Sequence, residues 1–142
     1  MNSGIRFYVF SLSKKDKSFE DGKIETAVEW LRKKGENPYY FREKKPKNGL
    51  PSGSIVLFSF QGQIFGQATV KDDVRKLSLE EQRIHGSEYK YCMVLKGSSI
   101  EIFPKPYPKK KDVAPKIRKN FGRLFTILDS KQYHIILKMA KE

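Results

Sequence analysis

The stretch from Gly53 to Val70, with the sequence GSIVLFSFQGQIFGQATV, limits the possible folds of this chain more than any other. Its apolar run Ile55–Phe58 is followed by Gly62 and by a second apolar segment centred on Gly66. This pattern predicts two paired strands joined by a tight turn. Because both faces of the first strand are apolar, we expect a central strand that is covered on both sides.

Gly66 is the informative residue within that predicted hairpin. A glycine inside a strand costs stability, so its presence indicates that another group approaches the backbone closely there. A packed helix or a β-bulge explains such a position, and the approach of a ligand is the third possibility. The sequence leaves these alternatives open.

The other segments predict a compact α+β fold. Apolar residues at helical spacing predict a helix over Lys23–Lys34 that ends at Gly35. Ser78 and Glu81 have the spacing of a capping box. The remaining predicted elements are a strand at Ile5–Leu12, a helix from Ser78 to about Gly86, strands at Glu88–Leu95 and Ser98–Phe103 on either side of Lys96 and Gly97, a strand or turn at Arg123–Leu128, and a helix that Asp129 or Ser130 caps and that runs through Lys141. We therefore expect helices that flank a curved sheet or a small β-barrel.

The charge of the chain points to an anionic partner. Its 142 residues suit one domain, and 29 basic against 16 acidic residues give a formal net charge of +13. The usual partners of such a charge are nucleic acid, an anionic membrane or an acidic protein. No apolar run is long enough to span a membrane, so we expect no membrane role. The most basic stretch, Lys105–Arg123, contains a single acidic residue, which favours phosphate binding over an ordinary solvated surface.

Residues with catalytic or metal-binding chemistry are sparse. His85 and His134 are too few for a zinc site, and the adjacent Asp72 and Asp73 diverge on an extended chain. The one cysteine, Cys92, lies in an apolar strand, which predicts a buried, inert thiol and a reducing, cytoplasmic compartment. We expect no metal, no cofactor and no catalytic activity.

Three consecutive aromatic residues, Tyr39, Tyr40 and Phe41, follow the turn at Pro38. On a strand, neighbouring side chains face opposite ways, so at least one of these rings points away from the core. An exposed ring next to basic residues can stack on a base that is flipped out of a helix or is already single-stranded. The alternative is that two rings belong to the core and the third covers a sheet edge.

These motifs together resemble a known superfamily. RFYVFSLSKKD near the start, YYF after the first helix and GSIVLFSFQGQIFGQATV are similar to the PUA-like superfamily, in particular its YTH and EVE branches. The resemblance extends over about Ile5–Ile102. The segment PKIRKNFGRLFTILDSKQYHIILKMAKE also resembles the end of PUA-like modules in McrB-type, modification-dependent restriction proteins.

The resemblance implies a pocket for a modified base. Ser11, Leu12 and Ser13 would form its floor through backbone contacts, and Tyr40 or Phe41 its first wall. YTH domains use tryptophan for a further wall, but Lys76–Glu88 has no aromatic residue, so Tyr89 or Tyr91 would substitute. The complete predicted pocket comprises Ser11, Leu12, Ser13, Tyr39, Tyr40, Phe41, Phe58, Ser59, Tyr89 and Tyr91. The predicted phosphate-binding residues are Lys14, Lys15, Lys17, Lys105, Lys109, Lys110, Lys111, Lys116, Arg118 and Lys119.

We therefore expect a non-catalytic module that binds DNA carrying a modified base, such as N6-methyladenine, and flips that base into an aromatic pocket. We expect residues 1–142 to be the N-terminal specificity domain of a longer restriction protein with an AAA+ motor or nuclease. One alternative is a reader of modified RNA. Another is an ASCH-like enzyme acting on a nucleoside, which would need a lysine and a carboxylate that face one cavity.

Overall fold

The computed structural model describes residues 6–14, 16–41, 50–104 and 125–141. Its strands are β1 (Phe7–Leu12), β2 (Tyr39–Phe41), β3 (Ile55–Phe60), β4 (Gln63–Thr69), β5 (Arg75–Lys76), β6 (Tyr91–Met93), β7 (Glu101–Ile102) and β8 (Phe125–Leu128). Its α-helices are α1 (Ile24–Lys34), α2 (Leu79–His85) and α3 (Ser130–Lys141). Most of the predicted phosphate-binding residues lie outside the described ranges, namely Lys15, Lys105, Lys109, Lys110, Lys111, Lys116, Arg118 and Lys119.

The described strands form two mixed or antiparallel sheets. The larger sheet has the order β7-β4-β3-β1-β8; its β1–β3 pair is parallel and its other pairs are antiparallel. The smaller sheet has the order β2-β6-β5 with antiparallel pairs. Neither sheet closes into a barrel among these strands. The predicted α+β fold is therefore confirmed, with open sheets rather than a small barrel among the described strands.

The predicted hairpin is present as β3 and β4. Strand β3 lies between β4 and β1, and residues 56–60 are buried, which confirms a central strand covered on both sides. Gln61 and Gly62 form the turn with φ angles of 49° and 82°. Two successive positive φ angles match the right-handed twist of a hairpin, although a non-glycine residue seldom adopts the conformation of Gln61.

Close packing explains why residue 66, inside β4, is a glycine. A β-carbon there would lie 2.8 Å from the carbonyl oxygen of Glu101 and 2.8 Å from Cδ2 of Leu31. The β3–β4 register also shifts between Phe58 and Ser59, so a bulge lies beside this contact. Strand β7 and helix α1 thus occupy the space that a ligand would need at Gly66.

The two strands around Lys96 and Gly97 are shorter than expected and belong to different sheets. Strand β6 pairs with β2 and β5, whereas β7 pairs with β4. Between them, Gly97–Ser99 forms a 3-10 turn. The hydroxyl of Ser99 stabilises this turn, because it accepts from the backbone N–H of Thr69 at 2.7 Å and donates to the Lys96 carbonyl at 2.6 Å.

Helix α2 is held by hydrogen bonds and an ion pair, without a buried side chain. The capping box is confirmed, with Ser78 Oγ and the Glu81 carboxylate each accepting a backbone N–H from the other residue. Arg75 forms a bidentate pair with Glu81, which lowers the pKa of that carboxyl to about 2. Leu79 and Ile84 are 85% and 66% exposed.

Helix α3 begins as predicted and packs one face against the core. Asp129 and Gln132 exchange backbone-to-side-chain hydrogen bonds of 2.8 Å at its start. Tyr133, Ile136 and Ala140 are buried. No helix within the described part of the chain is both long and apolar enough to cross a membrane.

We expect Gly66→Ala to lower the free energy of unfolding by about 1–3 kcal/mol, because the added methyl group overpacks the contact with α1 and β7. Chemical denaturation measures this change. Gly97→Ala is a matched control, because a β-carbon there would meet Cγ of Glu36 at an ordinary 3.4 Å. Wild-type stability of the Gly66→Ala protein would contradict the prediction.

Candidate functional site

Side chains on the two faces of β1 contact different parts of the molecule. The Phe7 ring stacks on Tyr133 of α3 with centroids 4.5 Å apart, whereas the Phe10 ring lies 5.7 Å from that of Phe58. Because side chains alternate along a strand, Ser11 shares the face of Phe7. Its hydroxyl lies 3.3 Å from that of the buried Ser59, which donates to it.

Alternation along β2 separates the three consecutive aromatic residues. The rings of Tyr39 and Phe41 lie on one side, 6.2 Å apart, and Phe41 is only 3% exposed. Tyr40 lies on the other side, where its ring stacks on His85 at 4.2 Å. Phe41 also stacks on the half-buried Tyr91 at 5.7 Å. Tyr39 and Tyr40 therefore present their rings to different environments.

Two half-buried aromatic rings and a lysine meet where α1 passes β2. The rings of Trp30 and Tyr39 are 5.4 Å apart and nearly perpendicular, at 82°. The ammonium of Lys34 lies 5.1 Å from the centroid of Trp30 and 5.3 Å from that of Tyr39. It also donates to the carbonyl of Pro38 at 3.1 Å. Lys34 thus places a positive charge in the corner between two aromatic faces.

Asp16 adds a carboxylate to this group. The hydroxyl of Tyr39 lies 3.4 Å from Oδ2 of Asp16, to which it donates. Oδ1 of Asp16 accepts the backbone N–H of Ser18 at 2.9 Å, at the start of a 3-10 turn. We name Asp16, Trp30, Lys34 and Tyr39 the Trp30–Tyr39 cluster.

Burial and charge have opposite effects on Lys34. Partial burial lowers the pKa of its ammonium, because the charged form loses hydration, and the Asp16 carboxylate opposes this shift. Lys34 is also the last residue of α1, where a cation interacts favourably with the helix dipole. The cluster therefore holds a partly desolvated cation beside a carboxylate.

A polar rim lies near the end of β1. A β-carbon on Gly22 would be 3.2 Å from Nε2 of Gln61 and 3.8 Å from Nζ of Lys14, so these residues converge. Lys14 and Lys17 are exposed, as phosphate-binding residues must be. Gln61 reaches this rim from the β3–β4 turn.

The residues of the predicted pocket are only partly brought together. Leu12, Phe41, Phe58 and Ser59 are buried, and Ser11 meets Ser59 rather than Tyr39. The backbone carbonyl of Tyr89 accepts from Gln82 of α2. Ser13 is exposed, and its carbonyl accepts the N–H of Asp16 at 3.0 Å. The pocket assignment stays a prediction. Of its residues, Tyr39 lies in the Trp30–Tyr39 cluster.

The other three cluster residues were not among the predicted site residues. Trp30 and Lys34 are four residues apart on α1, a spacing that places them on one side of a helix. From the sequence, this spacing could have indicated that Trp30 and Lys34 lie side by side. The position of Asp16 beside Tyr39 could not be predicted from neighbouring residues, because it depends on the turn between β1 and α1.

Metal-binding and thiol chemistry find no support in the described residues. No group of three or more His, Cys, Asp or Glu residues is close enough there to hold an ion. Cys92 is free and buried, as predicted, and burial raises the pKa of its thiol.

The fold matches solved structures at low sequence identity. No known protein-family profile and no curated protein sequence matches this chain. The ASCH protein of Zymomonas mobilis has a TM-score of 0.61 at 13% identity, with 95% of this chain and 99% of that chain covered. The YTH domain of the Zygosaccharomyces rouxii MRB1 protein, solved with N6-methyladenosine RNA, has a TM-score of 0.52 at 13% identity, covering 97% and 88%. A protein of Agrobacterium tumefaciens gives 0.60 at 14% identity, covering 95% and 92%.

The chain has a PUA-like fold. ASCH and YTH domains share this architecture, so the fold that the hairpin and the YYF segment implied is confirmed. The similarity extends over almost the whole chain in each case.

We expect Asp16→Asn to lower the pKa of Lys34 further, because the substitution removes the carboxylate that opposes the effect of burial. Asparagine preserves the shape of the side chain and can still cap the 3-10 turn. An NMR titration of the Lys34 side chain measures the change. Titration of the exposed Lys33 in the same samples is the internal control. An unchanged Lys34 midpoint would show that Asp16 does not act on it.

Proposed function

We propose that this protein binds nucleic acid and reads a modified base with the Trp30–Tyr39 cluster. The observation that carries the proposal is the pair of half-buried rings, flanked by a carboxylate and an ammonium, in a chain with a formal charge of +13. Aromatic faces stack on bases, and polar groups at their edge select among them. Basic residues supply affinity for the phosphate backbone.

The PUA-like fold supports this proposal. One structural neighbour, the YTH domain, was solved with RNA that contains N6-methyladenosine. At 13% identity this neighbour supports the fold alone. Base binding is therefore inferred from the side chains of this protein. Tyr39 is the residue at which the predicted pocket and the observed cluster coincide.

The finer proposal is that the ligand is DNA with a methylated base, which the protein flips out of the duplex. Flipping costs a few kcal/mol of unstacking, which stacking on an aromatic ring and contacts to the base edge offset. Exposed Lys14 and Lys17 lie near the end of β1 and would contact phosphates, together with the predicted residues of the Lys105–Arg123 stretch. In this proposal the domain delivers an AAA+ motor or nuclease of the same polypeptide to modified DNA.

RNA is the competing ligand within this proposal. Phosphate contacts do not distinguish DNA from RNA, whereas contacts to the ribose 2′-hydroxyl do. The experiment therefore has to compare both backbones at one salt concentration.

A second candidate function is an ASCH-like enzyme that acts on a nucleoside. A specific observation favours it: Lys34 and Asp16 interact electrostatically beside Tyr39. A lysine whose pKa is lowered by burial can act in general acid–base catalysis. Lys71 and Glu36 form another lysine–carboxylate pair among the described residues, with Nζ and Oε1 2.7 Å apart, and both line one cavity.

We expect Tyr39→Leu to reduce the affinity for an oligonucleotide with a modified base by about 5- to 150-fold, because base–aromatic stacking contributes about 1–3 kcal/mol. The measurement is a binding panel at fixed salt with matched DNA and RNA oligonucleotides, unmodified or carrying N6-methyladenine or 5-methylcytosine. Tyr40→Leu is the matched control, because its ring lies on the opposite side of β2 against His85. Equal affinity of the wild-type protein for every oligonucleotide would contradict base reading.

Double substitution of Lys110 and Lys111 by alanine tests the phosphate contribution in the same panel. We expect affinity for all oligonucleotides to fall together, with a flatter dependence on salt, because these residues would contact phosphates rather than bases.

The catalytic candidate has its own test. Incubation of the wild-type protein with modified nucleosides and with RNA, followed by chromatography, should leave the substrates intact if the module only binds. Product that forms with the wild-type protein and not with Lys34→Met would favour the enzyme.

A further inference from the structure

The ammonium of Lys34 lies beside four groups that attract positive charge, which oppose the cost of its partial burial. Two aromatic faces, those of Trp30 and Tyr39, lie within 5.1 and 5.3 Å of it. The carbonyl of Pro38 accepts a hydrogen bond from it at 3.1 Å, and Asp16 supplies a negative charge. The π faces, the carbonyl and the carboxylate all favour positive charge.

The perpendicular arrangement of the rings also suits a flat cation. A planar ring that stacks on one of the two faces directs its edge towards the other, because the rings meet at 82°. The edge of an aromatic cation is its most positive region, and an aromatic face attracts such an edge. A neutral base gains the stacking contribution and a weaker edge-to-face contribution.

Lys34 can leave this corner without disturbing the core. It is the last residue of α1, and its flexible stem can place the ammonium in water while the charge stays near the helix C-terminus. The core contacts of the helix are made by Ala27, Val28 and Leu31. Departure of the ammonium would open a corner lined by two rings, a carbonyl and a carboxylate.

We propose that the cluster accepts a nucleobase that methylation has made cationic, and that this base replaces the Lys34 ammonium between Trp30 and Tyr39. Methylation of a ring nitrogen that carries no hydrogen, as in 1-methyladenine, 3-methylcytosine or 7-methylguanine, gives the base a positive charge. Methylation of an exocyclic amine or of carbon, as in N6-methyladenine or 5-methylcytosine, does not. The inference deepens the proposed base-reading function, on which it rests, by assigning the chemical class of the base.

Lys34 then competes with the ligand for the corner, and the groups that line the corner set the selectivity. A cationic base recovers the interactions that the ammonium gives up, whereas a neutral base recovers only part of them. Removing the ammonium should therefore strengthen binding of every base that enters the corner, and of the cationic base most, because the displaced ammonium no longer repels it. A lysine that served as a phosphate contact would have the opposite effect, because its loss weakens every ligand.

The test compares wild-type protein, Lys34→Met and the control Lys33→Met. Methionine preserves most of the aliphatic stem, and Lys33 is an exposed neighbour that pairs with Glu29 at 3.8 Å. Single-stranded oligonucleotides carry one 1-methyladenine, one N6-methyladenine or plain adenine at the same position. The chain has one tryptophan, so quenching of Trp30 fluorescence reports occupancy of the corner directly.

We expect the wild-type protein to bind the 1-methyladenine oligonucleotide about 3- to 30-fold more tightly than the adenine one, the range of a cation–π contribution. Lys34→Met should tighten all three complexes, because displacement of the ammonium costs every base the same, and the 1-methyladenine complex most, because the displaced ammonium no longer repels the cationic base. Lys33→Met should behave as wild type. Free 1-methyladenosine should quench Trp30 as well, which tests the corner without any phosphate contact.

Three results would overturn the inference. Equal affinity for 1-methyladenine and adenine with Tyr39-dependent preference for N6-methyladenine would refute the cationic class and leave the proposed base reading intact. Uniform weakening by Lys34→Met would assign Lys34 to phosphate binding. Absence of any base preference and of any effect of Tyr39→Leu would refute base reading itself. Circular dichroism of Lys34→Met establishes that the fold persists, and competition by free 1-methyladenosine on the wild-type protein tests the inference without any variant.

Discussion

The contact of Leu31 with Gly66 determines where the residues of the Trp30–Tyr39 cluster lie. A side chain at position 66 would occupy the space of Leu31, so the absence of one lets α1 approach the β3–β4 hairpin. Leu31 faces the sheet, and Trp30 and Lys34 then lie at the border of that face, next to β2. A longer distance between helix and hairpin would separate Trp30 and Lys34 from Tyr39. The glycine in the hairpin is thus a condition for the aromatic corner.

The elements that could be predicted from the sequence are those that local interactions define. The hairpin around Gly62, the capping box at Ser78 and the capped start of α3 all depend on residues within a few positions of one another. Glycine conformation, hydroxyl capping and alternating hydrophobicity act at that range. These parts of the structure agree with expectation.

Features that depend on distant contacts could not be predicted in the same way. Strands β6 and β7 belong to different sheets, and the turn between them is joined to Thr69 of β4 by the hydroxyl of Ser99. The arrival of Asp16 beside Tyr39 likewise joins two segments that are 23 residues apart. The three consecutive aromatic residues could be predicted in part. Alternation along a strand predicts that their rings face opposite ways, but the structure was needed to show that Phe41 lies in the core and that Tyr39 contacts Trp30.

Helix α2 differs from the rest of the molecule in how it is held. Its stability comes from the Ser78 capping box, the Arg75–Glu81 ion pair and the contact between Tyr40 and His85, and it buries no side chain. Such a segment can open without exposing the core, so its local unfolding is decoupled from that of the two sheets. For protein engineering, helix α2 is consequently where we expect an inserted peptide or small domain to be tolerated, whereas Leu77, which precedes the helix, is buried.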